Sequence, residues 1–167
     1  IAAGNYAVTV TDFNGCTNSS TYVITQPALL TASESHVNIL CHGDATGSIT
    51  ITATGGTGTL TYSINDGTYQ SSNVFAALAA GTYTLSVKDA NGCIFAPASV
   101  AITAPSAISG SGAVTSNYAG SQLSCATATD GIITVTATGG TGNLQYKIDN
   151  GSYQSSNVFS GLAAGTH

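Results

Sequence analysis

Charge is what this sequence has least of. Asp, Glu, Lys and Arg together make up 5% of its 167 residues, and its only basic side chains are Lys88 and Lys147, against seven acids, for a formal net charge of −5. A nucleic-acid partner calls for clustered Lys and Arg that displace counterions from phosphates, which two isolated lysines cannot do. Attraction to an anionic membrane fails for the same reason. Met and Trp are absent and there are three prolines. No apolar run approaches the roughly 20 residues a membrane-crossing helix needs, so membrane insertion is not expected. The chain begins neither with Met nor with the basic-then-apolar order of a signal peptide. Both features lead to the expectation of a piece of a larger exported protein.

Hydrophobic residues account for 43% of the chain, enough for a packed core and too many for a disordered polar tail. The polar surface is built from Thr, Ser, Asn and Gly, and Tyr outnumbers Phe by eight to four. Thr and Tyr favour strands while Gly and Asn favour turns, so the composition predicts β structure.

Internal repetition organises the chain. Residues 41–80 align without a gap on 125–164, an offset of 84 from Cys41 to Cys125. The copies share Thr52-Ala53-Thr54-Gly55-Gly56-Thr57-Gly58 with Thr136-Ala137-Thr138-Gly139-Gly140-Thr141-Gly142. They also share Tyr69-Gln70-Ser71-Ser72-Asn73-Val74-Phe75 with Tyr153-Gln154-Ser155-Ser156-Asn157-Val158-Phe159. Ala2-Ala3-Gly4-Asn5-Tyr6 through Asp12-Phe13-Asn14-Gly15-Cys16 parallels Ala79-Ala80-Gly81-Thr82-Tyr83 through Asp89-Ala90-Asn91-Gly92-Cys93. Three parts are expected, with boundaries near Pro27 and Pro105: residues 1–27, the C-terminal strands of one repeat; 28–105, a complete repeat; and 106–167, the N-terminal part of a third.

Within a repeat, period-two alternation marks the strands. Ile49, Ile51 and Ala53 face inward with Thr50, Thr52 and Thr54 opposite, and the copy gives Ile133, Val135 and Ala137 against Thr134, Thr136 and Thr138. Leu60, Tyr62 and Ile64 form a second inward row, ending at the turn Asn65-Asp66-Gly67. Tyr83, Leu85 and Val87, mirrored by Tyr6, Val8 and Val10, form a third, ending at Asn91-Gly92, a dipeptide suited to a type I′ turn. Phe75–Ala80 reads equally as strand or as one helical turn. About seven short strands in roughly 80 residues is the pattern of an Ig-like sandwich, and Leu78, Gly81 and Tyr83 resemble a tyrosine corner. The fold expected is all-β, with tandem Ig-like, Greek-key β-sandwich repeats arranged head to tail.

The order Cys41-His42-Gly43-Asp44, Gly47-Ser48-Ile49-Thr50, Thr54-Gly55-Gly56-Thr57-Gly58, Tyr62, Leu78, Gly81-Thr82-Tyr83 and Asp89-Ala90-Asn91-Gly92-Cys93 resembles the SprB-type repeat of large surface adhesins of gliding Bacteroidota. The resemblance implies an extracellular, cell-surface filament or adhesin that acts as a stalk and multivalent display element, without enzymatic activity. Its partners would be neighbouring repeats or copies of itself, and surface glycans. The third repeat departs from the pattern at Ala126 and Ala128, where the middle one has His42 and Asp44, and at His167, where Tyr6 and Tyr83 predict Tyr.

A site used by every repeat should recur, and nearly all the titratable groups do not. His42 becomes Ala126, and His36 lies in a junction without counterpart, so both read as solvated loop residues; no base and nucleophile recur together. Catalytic residues, cofactors and metals are therefore not expected. Asp44 and Asp66 become Ala128 and Asn150, which argues against a Ca²⁺ site built from several oxygens. Asp12 and Asp89 do recur, each placed to accept N–H groups of an Asn-Gly turn. Gly55–Gly58 lacks the Lys-Ser/Thr and helix of a phosphate loop and reads as a tight turn. Lys88 becomes Thr11, so an isopeptide crosslink is no property of the repeat. The outward Thr rows give the alternative function, a glycan-binding or ice-binding face.

Cys16, Cys41, Cys93 and Cys125 recur in register and are the disulfide candidates of an oxidising compartment. Cys41 with Cys93 would close a repeat internally. The Ig strand order sets them at opposite poles, which would instead turn Cys93 to the neighbouring repeat. Both connectivities stay open. The chain starts and stops at the same point of the repeat, and is expected to be a two-period window on a fibre advancing roughly 40 Å per repeat.

Overall fold

The computed structural model describes residues 1–167. It is all-β, with thirteen strands and no helix: β1 (Gly4–Thr11), β2 (Thr17–Ile24), β3 (Thr31–Val37), β4 (Gly47–Thr54), β5 (Thr61–Ile64), β6 (Val74–Leu78), β7 (Gly81–Tyr83), β8 (Leu85–Lys88), β9 (Ile94–Phe95), β10 (Val100–Ile102), β11 (Ser109–Val114), β12 (Gly131–Thr138) and β13 (Val158–Leu162). The sheets are β1-β2, β3-β4-β6, β5-β8-β9, β10-β7 and β11-β12-β13, and none closes into a barrel. This is the architecture of β-sandwich repeats. Two compact units emerge. One holds Ile1–Ser35, Ile49–Phe75 and Thr82–Val100, the other His36–Ser48, Ala76–Gly81 and Ala101–His167.

In the first unit the core gathers the rows marked by alternation. Ile49 and Ile51 of β4, Leu85 and Val87 of β8, and Leu30 are buried, while Thr52 and Thr54 are exposed. β5 pairs antiparallel with β8, Tyr62 opposite Val87 and Ile64 opposite Leu85, which sets this row on the buried side of β8. The residue of β5 that is wholly buried is Ser63, which faces the other way. Its hydroxyl donates to the Gly67 carbonyl at 2.8 Å, Tyr62 exchanges backbone hydrogen bonds with Gln70, and Tyr69 bonds Ser86 through their hydroxyls. The returning chain thus covers the outer face of β5, where simple alternation had predicted exposure.

The turns also differ from expectation. Type I′ geometry needs left-handed backbone at both central residues. Asn65 and Asp66 have it, with φ of 50° and 54°, and Gly67 N–H closes the turn on the Ile64 carbonyl. At Asn91-Gly92 only Gly92 is left-handed, with φ 85°. Asp89 and Cys93 form the closing pair, and Gly92 N–H returns to the Asp89 carbonyl at 3.1 Å, a three-residue loop with a glycine bulge. The same bonds recur at Asp12, Gly15 and Cys16. The stretch read as strand or helical turn is strand, β6. His36 lies in β3 and not in a connecting loop.

In the second unit β12 is the central strand, flanked by β11, with Gly112 opposite Val135, and by β13, with Ile133 opposite Phe159. Phe159 is buried, whereas Ile133 and Val135 are only partly so.

Candidate functional site: the repeat junction and its polar caps

The glycine run that opens each repeat's first turn is where the incoming chain is seated. In the first unit Gly56 N–H donates to the Ala28 carbonyl at 2.9 Å. Gly55, with φ 81°, comes so close to the incoming chain that a Cβ there would lie 2.0 Å from the Leu29 oxygen. The second unit repeats this, with Gly140 N–H on the Ser106 carbonyl at 2.9 Å and a Cβ on Gly139 falling 2.0 Å from the Ala107 oxygen. In both, the residues just after the boundary proline lie in a saddle that only glycine permits. A hydroxyl pair extends each clamp: Thr31 with Thr54 at 3.2 Å and Ser109 with Thr138 at 3.3 Å.

Asp89 locks the saddle of the first unit. Its carboxylate accepts from Cys93 N–H at 2.8 Å, Thr57 N–H at 2.9 Å and Asn91 N–H at 3.0 Å, and Ala90 N–H returns to the Thr57 carbonyl at 3.0 Å. Burial opposes ionisation of this carboxyl, but the three N–H donors together outweigh it and hold the pKa below the ordinary 3.8. Asp12 makes the equivalent bond to Cys16 N–H at 2.8 Å. These aspartates are consumed as turn caps, as their recurrence predicted.

The shared Tyr-Gln-Ser-Ser-Asn-Val-Phe segment is a latch. Asn73 donates its amide to the Ile51 carbonyl at 2.8 Å and accepts Ile51 N–H on its backbone at 2.9 Å; Asn157 does the same to Val135 at 2.7 and 2.9 Å. Gln70 reaches the carbonyls of Ser72 and Val74, and Gln154 those of Ser156 and Val158. Sequence reasoning found this segment but not its role. The signal was the Asn and Gln kept at fixed places between copies.

The corner tyrosine is engaged in the first copy, where the Tyr6 hydroxyl donates to the Ala2 carbonyl at 2.7 Å. His167 takes over this position in the third repeat. It bonds the Ala163 carbonyl through Nε2 at 3.1 Å and the Asp149 carboxylate through Nδ1 at 2.9 Å. Both partners are acceptors, so the two contacts are made together when both ring nitrogens carry a proton. The Asp149 bond, aided by the Ala163 carbonyl, raises its pKa above 6.5 despite partial burial.

His42 is an exposed loop residue, as expected, but its ring is engaged. Its Nδ1 donates to the Pro105 carbonyl at 3.0 Å, tying the Cys41–Asp44 turn to the boundary proline. The ammonium of Lys88 lies 4.1 Å from the ring centre of Tyr69, and that of Lys147 lies 5.5 Å from Tyr153, the equivalent tyrosine. The Ser124 hydroxyl, together with Ser124 N–H at 3.2 Å, donates to the Asp130 carboxylate and lowers its pKa, while burial and the Asp130 charge raise that of Tyr118.

No three His, Cys, Asp or Glu side chains come together in a metal-holding group. Asp44 and Asp66 are exposed, on separate turns. All four cysteines are exposed and free, with no disulfide between them. The outward Thr rows do recur as shallow grooves, one lined by Thr31, Ser33, Thr52 and Thr54 and the other by Ser109, Ser111, Thr136 and Thr138.

What recurs from repeat to repeat is thus the means of seating, capping and latching strands, which defines a tandem β-repeat protein. The SprB repeat family model matches residues 33–69 and 118–153, in agreement with the motifs that resemble it. SprB repeats are structural repeats of cell-surface proteins. No curated protein matches the chain significantly.

Proposed function

We propose that the chain is a stalk and display segment of a long secreted filament or adhesin on a bacterial cell surface, with neighbouring repeats or copies of itself as partners and no enzymatic activity. The observation that supports this most directly is the glycine saddle. In each repeat the chain entering from the boundary proline is fastened within a few residues, by backbone bonds and a close approach that leave it little freedom. A stalk needs such joints, because load passes from repeat to repeat through the connecting chain. The perturbed groups serve the same end: Asp89 caps a turn and His167 holds a corner. On this reading the division at Pro27 and Pro105 corresponds to mechanical units.

Single-molecule pulling tests the proposal. Unfolding the complete repeat, residues 28–105, at about 3.5 Å per residue should release roughly 270 Å of extended chain, less its folded length. Repeated force peaks at that spacing are expected; one low-force, featureless extension refutes a load-bearing stalk.

A second reading, glycan or ice binding, draws on the two Thr/Ser grooves occupying equivalent positions. A glycan array and an ice-recrystallisation assay test it. A clear signal lost in Thr52→Lys supports it, and no signal from the full chain refutes it.

A further inference from the structure

The chain leaving the middle repeat is held up to its last residue. Ile102 is buried and stands over Gly47, where a Cβ would meet its methyl at 2.6 Å. From there the exit chain runs along residues 38–42. Thr103 N–H donates to the Asn38 side chain at 2.8 Å, and the Thr103 carbonyl accepts from Ile39 N–H at 2.9 Å. The Pro105 carbonyl then accepts from His42 Nδ1 at 3.0 Å. The next carbonyl, that of Ser106, is already in the saddle of the following repeat, bonded to Gly140 N–H at 2.9 Å.

Two successive peptide planes are thus fastened to two different repeats. A peptide unit is planar, so the only torsions between the held Pro105 and Ser106 carbonyls are φ and ψ of Ser106. Without the His42 bond, the last carbonyl fastened to the middle repeat is that of Thr103. The free torsions then become those of Ala104, Pro105 and Ser106, less the φ that the proline ring fixes. One side chain therefore decides whether this passage has two free torsions or five. That side chain differs between copies. At the offset of 84, His42 becomes Ala126 and Asn38 becomes Gln122, and alanine has no donor to hold an exit carbonyl.

We propose that His42 sets the stiffness of the joint at Pro105, and that a repeat with alanine in its place is followed by a looser joint. The saddle that receives the chain recurs in both repeats and cannot tell one joint from another. The difference lies in the repeat that the chain leaves, at the residue after the first Cys of the Cys41-His42-Gly43-Asp44 turn. The inference rests on the stalk reading and adds to it a place where bending is written into the sequence. A histidine there passes bending on to the next repeat, and an alanine absorbs it.

Amide exchange and ¹⁵N relaxation on the full 167-residue chain test this with three variants. His42→Ala and His42→Phe remove the donor, the second keeping a ring, while His42→Asn keeps an N–H at similar reach. In the first two, exchange at Ile39 and Thr103 should rise about fivefold, the factor that one ordinary hydrogen bond corresponds to. The Ser106 and Ala107 amides should also gain fast motion. Exchange at Ile51 and Val135, held by the Asn73 and Asn157 carbonyls, should not change. His42→Asn should stay within about twofold of wild type. Unchanged exchange and motion in His42→Ala overturns the proposal. So does a His42→Phe chain that behaves as wild type, which would place the effect in ring packing. A rise that extends to Ile51 overturns it as well, because His42 would then support the whole repeat. Exchange reads the joint without load, so any of these results alongside repeated unfolding peaks removes the joint inference and leaves the stalk reading standing.

Discussion

Replacing Gly55 by Ala tests the saddle, and Gly92→Ala supplies its control. Both glycines are left-handed, at φ 81° and 85°, so both substitutions carry the same backbone cost, about 1–2 kcal/mol. They differ in what the new methyl meets. Around Gly92 nothing lies within 4 Å, whereas at Gly55 the Leu29 carbonyl oxygen is 2.0 Å away and must move. Displacing Leu29 pulls on both neighbours. The Gly56 bond to Ala28 is worth about 1 kcal/mol, and partial re-exposure of buried Leu30 costs roughly 1–2 kcal/mol more. Gly55→Ala should therefore cost about 3–5 kcal/mol against about 1–2 kcal/mol for Gly92→Ala. Urea denaturation followed by circular dichroism measures both, and limited proteolysis at residues 25–30 should accelerate in Gly55→Ala alone. Equal losses in the two variants would refute the argument that the incoming chain is clamped there.

Asp89 has a lowered pKa, so its contribution to stability is complete above 3.8 and is lost as pH falls below that value through the folded pKa. Acid unfolding should show this limb, and Asp89→Ala should abolish it; an unchanged limb counts against the cap. His167 has a raised pKa, so its contribution is present below 6.5 and fades as pH rises through the higher folded value. NMR titration should place its ring above 6.5, with Asp149→Asn bringing it down, and no response to that substitution would argue against the pairing. Chelator is expected to leave the melting temperature unchanged, and a large drop would reveal a required metal. In oxidising buffer the exposed thiols of Cys16, Cys41, Cys93 and Cys125 are expected to pair and raise the melting temperature. Non-reducing peptide maps then separate Cys41–Cys93 from junction pairings, and four alkylatable thiols would refute pairing.

The rows Ile49/Ile51 and Leu85/Val87 could be read from sequence because a strand's period of two assigns alternate residues to opposite faces wherever one face is wet. Ser63 could not, because its cover comes from the 65–70 return of its own hairpin, a tertiary effect that alternation does not encode. The saddle was hidden for a different reason. The gap-free alignment starts only at Cys41, because the offset of 84 there falls to 78 at Pro27 and Pro105, six residues fewer, so Ala28-Leu29-Leu30 and Ser106-Ala107-Ile108 were not set side by side. Asp12 and Asp89 were legible as caps because an Asp two residues before Asn-Gly has few other backbone donors within reach. His42 was legible as an exposed loop residue, but its bond was not, because the acceptor is a carbonyl 63 residues away.

The two lysines and the tyrosines beneath them bear on digestion. A trypsin-like protease cleaves after Lys or Arg, and this chain offers it only the bonds following Lys88 and Lys147. Lys88 closes a strand whose neighbour Thr61 bonds its carbonyl, and its side chain is drawn over Tyr69. Entering a protease cleft in extended form would mean breaking that strand pairing and lifting the ammonium off the ring. A surface fibre made of such repeats would shed few tryptic fragments while folded, and its cutting by such an enzyme would report on the opening of single repeats.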